Sequence, residues 1–313
     1  MILTWAALIL GLLLIVKGGD LFVDQAVWMA RVSGVPPFLI GATVVSLATT
    51  MPEFLVSVMA AFRGQNQMAC GNAVGSVIAN TSLILSIAML ALPGRVSRRQ
   101  YLAKGLLLTG TVLVLLASTR QGELAGWGSL ALLGIFLLFM GENIWQARQA
   151  LDGRKEKSPP PSGGELGKHL VLFGAGTVGL VAGARLLVGS ATRLALLLGV
   201  SQGVVAATIV ALGTSLPELV TTLTAVAKKQ ASLSAGNILG ANIIDNALIL
   251  PACGLVSGGV LPISLQTRLI DLPFCLVGLG VVLVPMVLLG RFYRWQGALG
   301  LGVYLAYLFL LIR

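Results

Sequence analysis

The sequence has few charged residues, since Asp, Glu, Lys and Arg make up 10% of its 313 residues, against about a quarter in soluble domains. Histidine occurs once and cysteine three times, which argues against zinc ligation and against a disulfide framework. The sequence contains no nucleophile with an accompanying base and no phosphate-binding loop in a strand–helix context. We therefore expect neither an ordinary soluble domain nor an enzyme, and no bound cofactor.

Hydrophobic residues, by contrast, make up 57% of the chain. They form runs of about 20 residues, the length that crosses a bilayer core. The runs are continuously apolar rather than alternating, which favours a helical bundle over a transmembrane barrel. We predict an all-α membrane protein with ten transmembrane spans, at residues 2–30, 35–60, 69–92, 102–119, 125–147, 169–192, 199–227, 232–257, 269–290 and 295–312.

The net charge of +10 is explained by topology, not by a nucleic-acid partner, which we do not expect. Basic residues accumulate in cytoplasmic loops, and here they concentrate in and beside the odd-numbered gaps between spans. This predicts a plasma-membrane protein with both termini outside. The odd gaps hold Arg31, Arg95, Arg98, Arg99, Lys104, Arg148, Arg154, Lys155, Lys157, Lys168, Lys228, Lys229, Arg291 and Arg294, and the even gaps and the C-terminus hold Arg63, Arg120, Arg193, Arg268 and Arg313.

One long polar stretch interrupts the apolar pattern, at residues 150–168, and contains DGRKEKSPPPSGG. Its prolines, glycines and charges predict a flexible cytoplasmic linker. The chain is thereby divided into residues 1–149 and residues 169–313, each with five predicted spans.

The two parts repeat the same motifs. ATVVSLATTMPE at 42–53 aligns with ATIVALGTSLPE at 207–218, and CGNAVGSVIAN at 70–80 aligns with AGNILGANIID at 235–245. The offset is 165 residues throughout, with no gap. Because five is an odd number, the second repeat enters the membrane inverted relative to the first. Inverted repeats with interrupted helices indicate a transporter whose site lies near the bilayer midplane.

Two glutamates lie inside this pattern, Glu53 and Glu218. A carboxylate within a span costs several kcal/mol unless it is paired, solvated or bound to a cation. A single glutamate could be hydrogen-bonded into helix packing, but two in matching motifs favour a functional site. Each follows a proline, which should kink the helix and free backbone carbonyls near residues 46–49 and 211–214. Thr49 and Thr214 stand one turn earlier, on the same helix face.

The partner segments supply further polar groups, with Ser76 and Asn80 in the first repeat and Asp245 in the second. We predict a four-helix site with Glu53 and Glu218 at its centre. Carboxylate, hydroxyl and carbonyl oxygens suit Na⁺, Ca²⁺ or Mg²⁺. Close backbone approach or a helix break is expected at Gly71, Gly75, Gly236 and Gly240. Other acids are expected at interfaces or in salt bridges: Asp20, Asp24, Glu142 and Asp271.

These paired motifs resemble the cation/calcium exchanger superfamily, in particular its bacterial and archaeal sodium/calcium exchanger-like branch. That family carries a G-T-S-x-P-E helix followed by a G-S-N-I-F-N/D helix. The corresponding segments here are ATTMPE (48–53) with GSVIAN (75–80), and GTSLPE (213–218) with GANIID (240–245). The resemblance covers essentially the whole chain.

The resemblance implies a ten-helix antiporter that exchanges Ca²⁺ for Na⁺ by alternating access, with these ions as its ligands. The sequence departs from the family pattern at several motif positions, and Ala241, which replaces a serine, removes one candidate hydroxyl. Carried over residue by residue, the implied ion ligands are Thr49, Thr50, Glu53, Ser76, Asn80, Thr214, Ser215, Glu218 and Asp245, with the backbone carbonyls of Ser46 and Ala211.

Three alternatives stay open from the sequence. The first is an antiporter of the same architecture coupled to H⁺ or K⁺. The second is a passive cation pore that uses the same carboxylates, and the third is a membrane scaffold or enzyme without transport. Inorganic cations and the lipid bilayer are the expected partners, and the oligomeric state is left open.

Overall fold

The computed structural model describes residues 2–124, 126–152, 163–199 and 211–312. The predicted span 199–227 and the predicted linker each fall partly outside the described residues. Before the linker the chain forms helix α1 (Ile2–Ser33), then α2 (Pro37–Ile40), a π-helical stretch (Gly41–Val45), α3 (Ser46–Thr49) and α4 (Met51–Phe62). It continues through α5 (Asn66–Ile78), a π-helical stretch (Ala79–Ile84), α6 (Leu85–Ala91), α7 (Arg98–Ser118) and α8 (Gly126–Asp152).

After the linker the same kinds of element recur. They are α9 (Gly163–Leu197), α10 (Ala211–Gly213), α11 (Leu216–Ala227), α12 (Ala231–Ile244), a π-helical stretch (Asp245–Ile249) and α13 (Leu250–Val256). The chain ends with a π-helical stretch (Thr267–Asp271), α14 (Leu272–Leu289) and α15 (Arg294–Ile312). Since α8 reaches Asp152 and α9 begins at Gly163, the polar stretch 150–168 is helical at both of its ends.

Seven of the described helices are long and apolar enough to cross a membrane, and the bent pair Pro37–Thr49 with Met51–Phe62 makes eight. The most apolar windows of Asn66–Ala91 and Ala231–Val256 are 78% and 83% buried, against 22% for both α8 and α9. The two repeat-related segments therefore form the centre of the bundle, while α8 and α9 expose apolar side chains at its surface. This all-helical, multi-pass architecture agrees with the predicted fold class at that level.

Helices α1 and α9, the first helix of each repeat, pack along each other through glycines. A β-carbon at Gly18 would lie 2.7 Å from the backbone nitrogen of Leu180, and one at Gly176 would lie 2.7 Å from that of Phe22. Larger residues at these positions would separate the backbones, so the small-residue contact determines how closely the two helices approach.

Among the described residues, four strands of two residues each connect loops at the ends of the bundle, and the sequence pattern does not predict them. Strand β1 (Gly94–Arg95) pairs with β4 (Arg291–Phe292), and β2 (Glu123–Leu124) pairs with β3 (Leu261–Pro262), both antiparallel. The loop after α6 thus lies beside the loop after α14, and the loop after α7 lies beside the loop after α13.

The four acids expected at interfaces or in salt bridges each have a partner, which for Asp271 is a tyrosine hydroxyl and not a basic residue. Lys228 Nζ lies 2.7 Å from Asp24 and 3.5 Å from Asp20. Glu142 forms an ion pair with the buried Lys104. Tyr307 donates a hydrogen bond of 3.2 Å to Asp271.

Candidate ion-binding site

The helix containing the first motif is broken at Thr50. Helices α3 and α4 on either side of this residue meet at a bend of 44°. Thr50 has φ −80° and ψ −3°, and Ser215, at the equivalent position, has φ −86° and ψ 8°. Pro52 and Pro217 follow in the first turns of α4 and α11. Backbone N–H groups in a first turn have no partner within the helix, so the missing N–H of a proline costs no hydrogen bond there. The predicted kinks are therefore present as short interruptions with nearly identical backbone angles.

Glu53 and Glu218 stand in the first turns of α4 and α11, at the positive end of each helix dipole, which favours a carboxylate. Each side chain is 1% exposed. Neither oxygen of Glu53 accepts a hydrogen bond of good geometry among the described residues, although the Ser215 hydroxyl lies near enough to interact with its carboxylate, and Oε2 of Glu218 likewise accepts none there. A buried carboxylate without partners is costly unless a cation compensates it. The two glutamates thus have the environment expected of ion ligands.

Asn80 and Asp245 occupy equivalent positions in the π-helical stretches Ala79–Ile84 and Asp245–Ile249. Both are buried, at 1% and 0% exposure. Within the described part of the chain, Asn80 Oδ1 and both carboxylate oxygens of Asp245 have no hydrogen-bond partner. Single π-helical turns are frequent at functional sites because they displace side chains from the regular helical register. The flanking positions predicted from sequence are therefore buried groups with unused acceptors.

The second partner segment lies directly against the first broken helix. A β-carbon at Gly240 would lie 2.7 Å from Ser46 Oγ, and one at Gly236 would lie 3.0 Å from the carbonyl carbon of Phe38. Around Gly71 and Gly75, apart from the chain neighbours and the nearby backbone of the same helix, no described atom comes within 4 Å of such a β-carbon. Close approach is thus found for the second glycine pair.

Hydroxyl groups of the two breaks reach across to the opposite repeat. Thr50 donates to Glu218 Oε1 at 3.4 Å, and Ser215 donates to Ser76 Oγ at 3.1 Å. The position equivalent to Ser76 is Ala241, which offers no hydroxyl. The structure therefore brings Thr50, Ser76, Ser215 and Glu218 together across the two repeats.

Two asparagines in contact with the site were not singled out from sequence. Thr49 donates to Asn237 Oδ1 at 3.2 Å, and Thr214 donates to Asn72 Oδ1 at 3.2 Å. Asn72 and Asn237 are themselves 165 positions apart. The signal that could have identified them is the Gly-Asn pair that both repeats share.

The two predicted carbonyl ligands are less well supported. The Ser46 carbonyl accepts the Thr50 N–H at 2.9 Å and the Thr49 hydroxyl at 3.4 Å. The Ser46 carbonyl thus already accepts hydrogen bonds within its own helix, and its role as an ion ligand stays a prediction. Ala211 is the first described residue after the gap at 200–210, and its carbonyl ligand likewise stays a prediction.

The acidic groups do not form a ready-made metal centre. Coulomb repulsion acts on Glu53 from both Glu218 and Asp245. Within residues 2–124, 126–152, 163–199 and 211–312, no three His, Cys, Asp or Glu side chains are placed so that they could hold a metal ion. The predicted metal ligands Glu53, Glu218 and Asp245 therefore need neutral oxygens, such as those of Thr49 and Thr214, to complete a coordination shell.

Comparison with known proteins supplies an independent line of argument. A family profile described as "Sodium/calcium exchanger protein" matches residues 3–145 and 168–313. The two matched segments leave out residues 1–2 and 146–167, and the second of these includes nearly all of the polar stretch. The match therefore includes both repeats.

Similar proteins occur in bacteria and archaea, among other organisms. The inner membrane protein YrbG of Escherichia coli is 36% identical over 272 residues, which are 83% of this chain and 82% of that protein. The sodium/calcium exchanger MaX1 of Methanosarcina acetivorans is 29% identical over 97% of each chain. The structure of the sodium-calcium exchanger NCX_Mj soaked with 2.5 mM Na⁺ and 10 mM Sr²⁺ is 28% identical, covers 97% of both chains and superimposes with a TM-score of 0.85.

Proposed function

The chain belongs to the sodium/calcium exchanger protein family, and on this basis we propose that it exchanges Ca²⁺ for Na⁺ across the membrane by alternating access. It is a transporter and not an enzyme. The observation that carries the proposal is the pair of buried glutamates, Glu53 and Glu218, each in the first turn after a helix break. Among the described residues, both carboxylate oxygens of Glu53 and one of Glu218 accept no hydrogen bond of good geometry.

The proposed architecture is ten transmembrane helices in two inverted five-helix repeats, 1–149 and 169–313, joined by a cytoplasmic linker. Its support is the constant offset of 165 residues, the pairing of α1 with α9 and the two strand pairs. Each strand pair joins two gaps of equal parity in the predicted topology, as one side of a membrane requires. The basic residues of the odd gaps support a plasma-membrane location with both termini outside.

The proposed ligands are oxygens from both repeats, which form a set of the hard type that Ca²⁺ and Na⁺ prefer. Thr50, Ser76 and Ser215 are supported by their hydrogen bonds across the repeats. Asn80 and Asp245 are supported by burial and unused acceptors. The full set is Glu53, Glu218, Asp245, Asn80, Thr49, Thr50, Thr214, Ser215 and Ser76, with the backbone of Ser46 and Ala211 as further contributors.

Exchange follows from competition for this shared set. A few carboxylates can balance one divalent ion or a group of monovalent ions, but their charge and space disfavour both at once. Without cargo, unpaired charge buried near the midplane penalises the conformational change. Ions on one side are thereby coupled to ions on the other.

The test is uptake of radiolabelled Ca²⁺ into proteoliposomes that contain the purified chain and a high internal Na⁺ concentration. The proposal predicts uptake that requires the outward Na⁺ gradient and collapses when the gradient is removed. Uptake of equal rate with and without internal Na⁺ would overturn Na⁺ coupling and would favour a passive pore.

The same fold with another coupling ion is the second candidate. The observation that favours it is Ala241, which is fully buried and lacks the hydroxyl that Ser76 supplies in the first repeat. One oxygen fewer leaves a poorer site for several Na⁺ ions. Ca²⁺ uptake driven by a proton gradient, or by K⁺, in vesicles free of Na⁺ would establish this alternative.

A further inference from the structure

Each motif threonine is held by an asparagine of the opposite repeat. The bonds Thr49–Asn237 and Thr214–Asn72 have the same donor atom, the same acceptor atom and the same length of 3.2 Å. Their residues are related by the offset of 165 positions. Recurrence at equivalent positions of both repeats indicates a requirement of the site and not a local accident of packing.

The direction of these bonds matters for ion binding. A threonine hydroxyl has one proton and two lone pairs. A cation can be bound only by a lone pair, so the proton must point elsewhere. The Thr214 proton goes to Asn72 Oδ1. The Thr49 proton faces Asn237 Oδ1 at 3.2 Å, with the Ser46 carbonyl farther away at 3.4 Å. A proton given to asparagine leaves the lone pairs of the threonine oxygen available to an ion.

We propose that Asn72 and Asn237 are positioning residues of the ion site, each of which accepts the hydroxyl proton of the opposite repeat's threonine and so presents that threonine oxygen to the cation. The inference rests on the proposed function and deepens it. Both asparagines act through Thr214 and Thr49 and do not themselves need to touch the ion.

Asparagine is suited to this role because its oxygen accepts a proton without adding a fourth negative charge to Glu53, Glu218 and Asp245. Its amide can also be anchored. Asn72 Nδ2 donates to Ser57 Oγ at 3.0 Å and to the Glu53 carbonyl at 3.5 Å. Asn72 therefore links the helix that carries Glu53 to the threonine of the other repeat.

The test is a pair of double-mutant cycles in proteoliposomes. The single variants are Asn72→Ala, Asn237→Ala, Thr49→Val and Thr214→Val. Each asparagine is then combined with its bonded threonine and, as a matched control, with the threonine to which it is not bonded. The readouts are the Ca²⁺ concentration for half-maximal Na⁺-driven uptake and the maximal rate.

Each asparagine variant should raise the half-maximal concentration by about three- to tenfold. In the bonded pairs, Asn72 with Thr214 and Asn237 with Thr49, the double variant should be no worse than the threonine variant alone. In the unbonded control pairs the two effects should multiply. A purely structural role would lower the maximal rate or the yield in all combinations alike.

Multiplying effects in the bonded pairs, or asparagine variants with wild-type half-maximal concentrations, would overturn the inference. If an alanine variant does not purify as a monodisperse protein, Asn72→Leu or Asn237→Leu replaces it, since leucine keeps the volume and lacks the acceptor. Absence of Na⁺-driven uptake by the wild-type chain would instead count against the proposed function, so the two failures are distinguishable.

Discussion

The two repeats share the backbone of the site but differ in its side-chain partners. Thr50 and Ser215 break their helices with nearly the same angles, and both glutamates are equally buried. In contrast, Asn80 is neutral where Asp245 is acidic, and Ser76 has a hydroxyl where Ala241 has none. The shared positions thus form the framework of an ion site, and the differing positions set its charge and number of oxygens.

A third difference concerns a hydrogen bond between an asparagine and a hydroxyl residue that stand at equivalent positions in both repeats. Asn72 is bonded to Ser57, whereas Asn237 Nδ2 and Thr222 Oγ1, at the equivalent positions, are fully buried and have no partner within the described residues. Both repeats therefore carry the groups for this bond, and one repeat forms it. Inverted repeats that alternate between two arrangements need not be equal in any one of them.

The largest expected effect tests what the repeats share. Glu53→Gln and Glu218→Gln each remove a charge from the centre of the site without changing its volume. Each variant removes one carboxylate that pairs with the bound cation. Breaking a buried ion pair by removing one partner costs about 3–5 kcal/mol, so either variant should reduce Na⁺-driven Ca²⁺ uptake more than about a hundredfold. Normal uptake in one of the two variants would show that the glutamates are not equivalent.

The next largest effect tests the difference in charge. Asp245→Asn makes the second repeat like the first and should raise the half-maximal Ca²⁺ concentration about tenfold or more, because calcium affinity depends on ligand charge. The double variant Asn80→Asp/Asp245→Asn moves the carboxylate to the other repeat and is the matched control. It should recover Ca²⁺ uptake in part, and recovery of none would mean that the position, and not the total charge, decides.

A smaller effect is expected from the missing hydroxyl. Ala241→Ser gives the second repeat the group that Ser76 gives the first. One additional oxygen ligand should lower the Na⁺ concentration for half-maximal exchange about two- to fivefold. The reciprocal change, Ser76→Ala, should raise it. Opposite signs, or no shift in either variant, would exclude these positions from the Na⁺ site.

The smallest effect concerns the unequal hydrogen bonds. Ser57→Ala removes a formed bond and should lower the free energy of unfolding by about 1 kcal/mol. Thr222→Val removes a buried hydroxyl that has no described partner and should leave stability unchanged or raised. Apparent melting temperatures of the purified variants in detergent check this. Equal losses in both would show that the two hydroxyls are equivalent.

The framework of the site could be predicted from the sequence because its causes are local. A proline before Glu53 and another before Glu218 locate the helix breaks, and long apolar runs locate the central segments. The matching motifs also predict a break in both repeats, and the two breaks have nearly the same backbone angles. Gly240 likewise has the close backbone contact that its small size permits.

Other features depend on contacts between distant parts of the chain. The π-helical stretches that contain Asn80 and Asp245 have no residue pattern of their own, because a shift of one residue in hydrogen bonding is set by packing. The strand pairs are two residues long, too short for an alternating pattern. The roles of Asn72 and Asn237 follow only from the side chains that face them across the repeats.

The measurement that tests the central claim most directly is equilibrium binding of radiolabelled Ca²⁺ to the purified chain in detergent. If both repeats form one shared site, the wild type should bind a single Ca²⁺ that Na⁺ displaces, and Glu53→Gln and Glu218→Gln should each abolish it. Wild-type Ca²⁺ binding by either variant would mean that the glutamates do not share an ion, and the account would be wrong.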